Sequence, residues 1–294
     1  MAMYNINEQE ATLHISKGNG KIGNGIWSFS TLPGNAEHTP MIGGNPLTNI
    51  TGTCSKYCEN CARDGACYAW RDAKLHHNVV AKAWGDNTVL LRNGKLWSLL
   101  DEFLWQKNRK SKKILDKWLA EFDTQPDEIW PSTLTDMKHA AVVKMFRIHV
   151  SGEIEDLHEL KQWDALARRH PETTFALYTK NYDALGEYLD HTKGITPPNL
   201  VINVSEWHGV AAEFLRKYTA KYPGAFNVFE YDDHNKRTCD LPAKEVLRLE
   251  KLTHCPAVDR NGHHVKTPAG KPLTCDKCRK CYMKTGAWTA VWSH

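Results

Sequence analysis

Nine cysteines stand in this chain of 294 residues, and eight of them fall into two sets of four. Cys54, Cys58, Cys61 and Cys67 lie within fourteen residues; Cys275, Cys278 and Cys281 lie within seven, with Cys255-Pro256 upstream. Disulfide frameworks belong mainly to shorter secreted chains, so clustered thiols here point to metal or catalysis. The C-terminal set has the C-x2-C-x2-C spacing of bacterial ferredoxins, in which a distant cysteine followed by proline supplies a further ligand. Two-residue gaps let a loop wrap a cubane and set a thiolate on successive corners. Four thiolates also satisfy zinc, but structural zinc sites usually present two pairs rather than three plus one. The spacing therefore favours a 4Fe–4S cluster on Cys255, Cys275, Cys278 and Cys281, with zinc as the alternative. His254, His263 and His264 sit in the adjoining polar loop and are expected to face solvent. Cys239 has no cysteine at ligand spacing and is expected to bind no cluster.

The N-terminal set reads C-x3-C-x2-C-x5-C. Its first three cysteines have the spacing of radical S-adenosylmethionine (SAM) enzymes, where three thiolates hold three irons and the fourth iron takes the amino-acid end of SAM. Two features depart from that pattern. Asn60 stands where an aromatic residue is usual, and Cys67 lies close enough to occupy the open iron. Gly65 permits the turn that would bring it there. Cys67 is expected to be a ligand, either as the fourth or in place of one of the first three. A fully ligated cluster transfers electrons or is structural; an open one binds substrate.

The elements that must position these ligands follow from hydrophobic periodicity. Residues 17–53 are rich in Gly, Pro, Asn and Thr and read as loops and short strands. A helix is expected from Cys67 to about Trp84, and helical periodicity continues over 96–122. Between its apolar positions lie Lys107, Arg109, Lys110, Lys112 and Lys113, a solvated face or a nucleic-acid contact. From residue 145 strands and helices alternate. Strands are expected at Phe146–Val150, Thr174–Thr179, Leu200–Val204 and Phe226–Tyr231. Helices are expected at Ile154–His170, Tyr182–Asp190, Val210–Tyr222 and Ala243–Leu252. Such alternation implies a parallel sheet, open or curled into a barrel. Ligands in these sheets bind beyond the carboxyl ends of the strands. The segments Ser151-Gly152-Glu153, Thr179-Lys180-Asn181, Ser205-Glu206-Trp207 and Asp232-Asp233-His234 end those strands. They are the candidate pocket, with Tyr178 and Asn203 beside them.

Composition narrows the classes. Hydrophobic residues at 41% and charged residues at 24% are ordinary for a globular fold, and eleven tryptophans imply a filled interior or an aromatic pocket. The polar stretch Met1–Glu10 has no secretory apolar core, and no uncharged run reaches the length of a membrane span. A cytoplasmic protein with no membrane partner is expected. A net charge of +4 is weak support for a polyanionic partner.

Several stretches resemble the phage-associated "gene product 88" family, whose members look like relatives of radical SAM enzymes with a partial barrel. They are Lys21-Ile22-Gly23, Cys67-Tyr68-Ala69 with Arg71, Arg147 to Glu153, Phe175 to Lys180, and the tail with Cys255-Pro256. Ser151-Gly152-Glu153 also resembles the Gly-Gly-Glu that holds the SAM amino group. The resemblance implies an α/β partial (β/α) barrel, radical SAM-like, over residues 1–252. A cysteine-rich, cluster-binding extension would occupy residues 253–294. The long segment between Cys67 and Phe146 departs from the compact radical SAM core.

Three functions follow as expectations. In the first, two 4Fe–4S clusters serve an oxygen-sensitive enzyme doing reductive or radical chemistry on a small molecule at the barrel mouth. SAM is then a candidate cofactor, and Glu153 and Tyr178 are the catalytic residues. Ser151, Gly152, Glu153, Thr179, Asn203 and Glu206 would bind the cofactor, with Asp232 lining the pocket. In the second, the chain is a non-catalytic iron–sulfur electron carrier or redox sensor. In the third, it is a zinc-stabilised nucleic-acid binder using residues 107–117.

Overall fold

The computed structural model describes residues 3–18, 22–58, 67–108, 116–117, 120, 141–207, 209–232, 253–257 and 265–292. The short strands β1 (Ser16–Lys17), β2 (Ile26–Ser28), β3 (Met41–Ile42) and β4 (Asn45–Pro46) precede three helices. These are α1 (Tyr68–Leu75), α2 (His77–Arg92) and α3 (Leu96–Asn108). The expected helix after Cys67 is thus two helices with a break at His76. Alternation then begins: β5 (Met145–Ile148), α4 (Leu157–Arg169), β6 (Thr174–Thr179), α5 (Tyr182–Thr192), β7 (Leu200–Glu206), α6 (Ala212–Lys221) and β8 (Asn227–Asp232). Two further strands, β9 (Thr253–His254) and β10 (Trp288–Trp292), flank the one-turn α7 (Cys275–Cys278). The helix expected at Ala243–Leu252 and most of 109–122 lie outside the described residues, as do Cys61, Cys239, His263 and His264.

Among the described residues the main sheet has eight strands in the order β1-β2-β5-β6-β7-β8-β10-β9. Only the β1–β2 pair is antiparallel, so seven strands run parallel. From β2 to β8 the spatial order follows the chain order. A doubly wound sheet reverses direction at a switch point; this one does not across β5 to β8. Single winding with right-handed crossovers puts the connecting helices on one face. Side-chain alternation agrees with that. Phe146, Ile148, Phe175, Leu177, Leu200, Ile202, Val204 and Val228 point into the core shared with α4, α5 and α6. Trp163 on α4 is that core's hub, fully buried against the rings of Phe29, Trp97, Phe146 and Phe175.

The opposite face carries the other parity. Ile26, Met145, Ala176 and Val201 form a second, smaller core that is closed by Ile22, Tyr282 and the half-buried Cys275. The cysteine-rich tail therefore packs against the helix-free face and also adds β9 and β10 to the sheet edge. No helix among the described residues is long and apolar enough to cross a membrane.

Candidate metal centres

The C-terminal cysteines are seated by polar residues of the strands they cover. Asn203 and Asn227 are register neighbours on β7 and β8. The Asn203 amide donates to the carbonyls of Leu177 and Cys281, at 3.1 and 3.2 Å. Asn227 donates to Asn203 Oδ1 and to the Met283 carbonyl, while its own Oδ1 accepts from the amides of Thr285 and Gly286. At the other end of the motif, the Asp276 amide donates to the Ile22 carbonyl at 3.0 Å. A Cβ on Gly23, whose φ is +89°, would lie 2.0 Å from the Asp276 carboxylate. That contact gives Ile22-Gly23 a local role: only glycine lets the loop pass so close to α7.

The four C-terminal thiols act on one another. Burial chiefly pushes the Cys281 thiol up to about 11; the nearby Tyr178 hydroxyl pulls it down, and Cys255, Cys275 and Cys278 raise it further. Cys255 is raised by burial and by Cys275 and Cys278. Among the described residues, no three Cys, His, Asp or Glu side chains converge tightly enough to hold a single metal ion. A cubane is larger than an ion and takes its ligands further apart, so the donor set is compatible in chemistry and in grouping with a cluster.

Cys54, of the N-terminal set, lies beyond the carboxyl ends of the strands. Residues 29–31 continue β2 along 147–151, through Phe29 N to Arg147 O and Thr31 N to Ser151 O, both 3.0 Å. On their far side Thr53 N meets Leu32 O and Cys54 N meets Gly34 O. The Gly34 amide donates back to Cys54 Sγ at 3.1 Å, a bond that favours a thiolate. Cys58 ends a 3-10 turn, Lys56–Cys58, and Cys67 occupies the N-cap position of α1. Tyr57 and Lys56 hold this turn to Asp183 on α5, at 2.9 and 2.8 Å. Arg92 ties the preceding loop to Glu155, donating to the carbonyls of Thr51 and Gly52 and to Glu155 Oε1. A shallow cleft of about 340 Å³ opens here between Ser55, Lys56, Tyr57, Glu155, Asn181 and Asp183.

The expected pocket residues divide into three groups. Ser151, Gly152, Glu153 and Thr179 come together at the ends of β5 and β6. Glu153 is buried, and its carboxylate accepts from the amides of Ile154 and Lys180 at 2.9 and 2.8 Å. Burial raises its pKa above the usual carboxyl range, with those donors opposing. A carboxylate has about four acceptor positions, and the two amides engage one on each oxygen, which joins two strand-end turns. Gly152 is required: its φ is +80°, and a Cβ would sit 1.8 Å from Thr31 Oγ1. The Ser151 hydroxyl is buried without a hydrogen-bond partner among the described residues.

Tyr178 and Asn203 form the second group, below on the helix-free face, and both contact the tail. Glu206 is the third, by itself. It turns to the helix side, where its carboxylate accepts from the amides of Gly209 and Ala211 and so caps the turn into α6. The backbone of Asp232 ends β8. His254 is partly buried in β9 rather than fully exposed.

Residue patterns alone overlook three participants. Arg147 is one; its guanidinium stacks 4.5 Å from the Tyr178 ring centroid. An arginine inside an otherwise apolar strand was the available signal. His149, left-handed at φ +49°, bonds Thr31 Oγ1 at 3.0 Å and Glu159 Oε1 at 2.6 Å. Tyr282 buries its hydroxyl beside Cys275 and Cys281.

The fold and site thus define a mixed α/β protein with a mostly parallel sheet and a cysteine-rich tail packed on its open face. The model of the family described as Gene product 88 matches residues 11–284, and the chain belongs to that family. No curated protein and no solved structure matches the chain.

Proposed function

We propose that the chain is an iron–sulfur protein with two 4Fe–4S clusters. Cys255, Cys275, Cys278 and Cys281 would hold one, and Cys54, Cys58, Cys61 and Cys67 the other. The observation that carries this reading is the gathering of four thiols, near enough to act on one another, beside the sheet face that Cys275 helps to cover. The singly wound order of β5 to β8 supports a radical SAM-like partial barrel. When bound, such clusters supply one-electron transfer, and one with an open iron also binds substrate.

The two centres would differ in role. Asn203 is engaged by the tail, so the C-terminal centre would sit against the sheet, which suits electron relay. Cys54 lies near the carboxyl strand ends, where α/β proteins bind small molecules, and the second centre would form there. Reductive or radical chemistry on a small molecule would take place there, with Glu153 holding the turns of β5 and β6 in place. An electron carrier without a substrate is the second reading; it is favoured by Cys67 at the start of α1, a position that favours a thiolate ligand.

Anaerobic purification with iron, sulfide and zinc analysis tests the proposal, followed by electron paramagnetic resonance with and without SAM. About eight irons and eight sulfides per chain are expected. Two zincs with negligible sulfide would overturn it in favour of a zinc-stabilised nucleic-acid binder. A spectrum indifferent to SAM would select the carrier.

A further inference from the structure

Three side chains surround the inner thiols without being able to ligate a cluster through sulfur. Tyr178, on β6, lies within electrostatic reach of Cys281. Arg147, its neighbour on β5, lies over the Tyr178 ring at 4.5 Å. The two side chains share the helix-free face because Arg147 pairs with Ala176, two residues before Tyr178. Phe229 closes the far side of the Tyr178 ring edge-on at 5.1 Å. Tyr282 follows Cys281 directly and buries a hydroxyl that has no hydrogen-bond partner among the described residues, although Cys275 and Cys281 lie within electrostatic reach. A buried polar hydroxyl left unpartnered forfeits its hydration with no return, so a residue in that state calls for an acceptor at hand. Thiolates at these cysteines would be that acceptor.

We infer that Arg147, Tyr178 and Tyr282 set the reduction potential of the C-terminal centre, by donating hydrogen bonds and positive charge to its thiolate ligands. The inference rests on the iron–sulfur reading. Reduction adds one electron, and hence one negative charge, to a site that already carries thiolate charge. Donors and cations beside the sulfurs stabilise the reduced form more than the oxidised one, which raises the potential. In this arrangement Tyr178 is the direct donor, Arg147 orients and polarises it from the ring face, and Tyr282 is a second donor to Cys275 or Cys281. None of the three is a catalytic residue in this role.

The test is a dithionite titration of anaerobically purified protein, followed by electron paramagnetic resonance, on the parent and on Tyr178→Phe, Tyr282→Phe and Arg147→Met. Two clusters give two potentials, and the N-terminal one serves as the internal reference. One potential is expected to become more negative in each variant while the other stays. The largest shift is expected for Tyr178→Phe, about a tenfold change in the reduction equilibrium, or about 59 mV for one electron. Tyr282→Phe removes only an unpartnered oxygen, so it keeps the question answerable if Tyr178→Phe does not fold. Iron-loaded variants with both potentials unchanged would overturn the inference and leave the iron–sulfur reading standing. A parent that carries zinc and no sulfide would overturn both, and the metal analysis of the same samples separates the two failures.

Discussion

At the residue scale the buried charges around β5 and α4 are the most informative. His149 is enclosed, and burial would lower its pKa, but Glu159 and the more distant Glu153 and Glu155 outweigh that and raise it. His170 behaves alike between Asp101 and Glu172, at 2.9 and 3.3 Å. A histidine raised above its ordinary 6.5 stabilises the fold fully below that value and loses the contribution as pH climbs through the folded value. Asp101 has the opposite sign. His170 and Arg169 outweigh burial and lower it from 3.8 to about 2, so its contribution is present above 3.8 and is lost as pH falls towards 2. Melting temperature should therefore decline from about pH 6.5 upwards. His149→Gln, whose amide can donate to Glu159 at every pH, should flatten part of that decline. An alkaline slope identical in parent and variant would refute the assignment to His149.

Glu153 yields a second residue-scale test. Its oxygens accept from two backbone amides, so Glu153→Gln sets an amide N–H against one of those donors. A loss of about 1–3 kcal/mol in urea unfolding is expected. A residue held only for chemistry would leave stability unchanged.

At the element scale, single turns decide how strands present their ends. Asp156 caps α4 by accepting from Glu159 N at 2.8 Å, and Asn181 caps α5 through Ala184 N at 3.2 Å. The Asn181 amide also donates to the carbonyls of Ile154 and Glu155, which binds the β6 turn to the β5 turn. Asn227→Ala is the corresponding test for the tail. It removes acceptance from Thr285 and Gly286 and donation to Met283, so residues 281–286 lose their seat on β8. Hydrogen exchange in that stretch should quicken, and iron at the C-terminal set should fall, while the N-terminal set keeps its share. Uniform loss of both would mean that Asn227 supports the whole fold rather than the tail.

At the scale of the whole molecule, the tail is part of the core. Ile26, Met145, Ala176 and Val201 face the side that α4, α5 and α6 leave bare, and Tyr282 and Cys275 cover it. Cys275→Ser and Cys278→Ser should lower the melting temperature of the entire protein if the proposed metal is bound there, because such binding is coupled to folding. Either variant melting like the parent would show that the tail packs independently of its ligands.

Much of this was legible in the residues. The apolar runs and their breaks marked Thr174–Thr179 as a strand, and they located the helices after β5, β6 and β7 to within a few residues. Cysteine spacing grouped Cys255 with the distant trio as one expected ligand set, whereas the register of β6 on β7 is what pairs Tyr178 with Asn203. What parity cannot contain is the identity of the layer that covers a face. Cys281 meets Tyr178 across more than a hundred positions in sequence, and Glu206 turns towards α6 because residues 209–211 offer it amides. Local pattern fixes which side chains share a side; long-range packing alone decides that the open face of this sheet is filled by the chain's own cysteines, because burying Ile26, Met145, Ala176 and Val201 requires a partner and the returning tail supplies it.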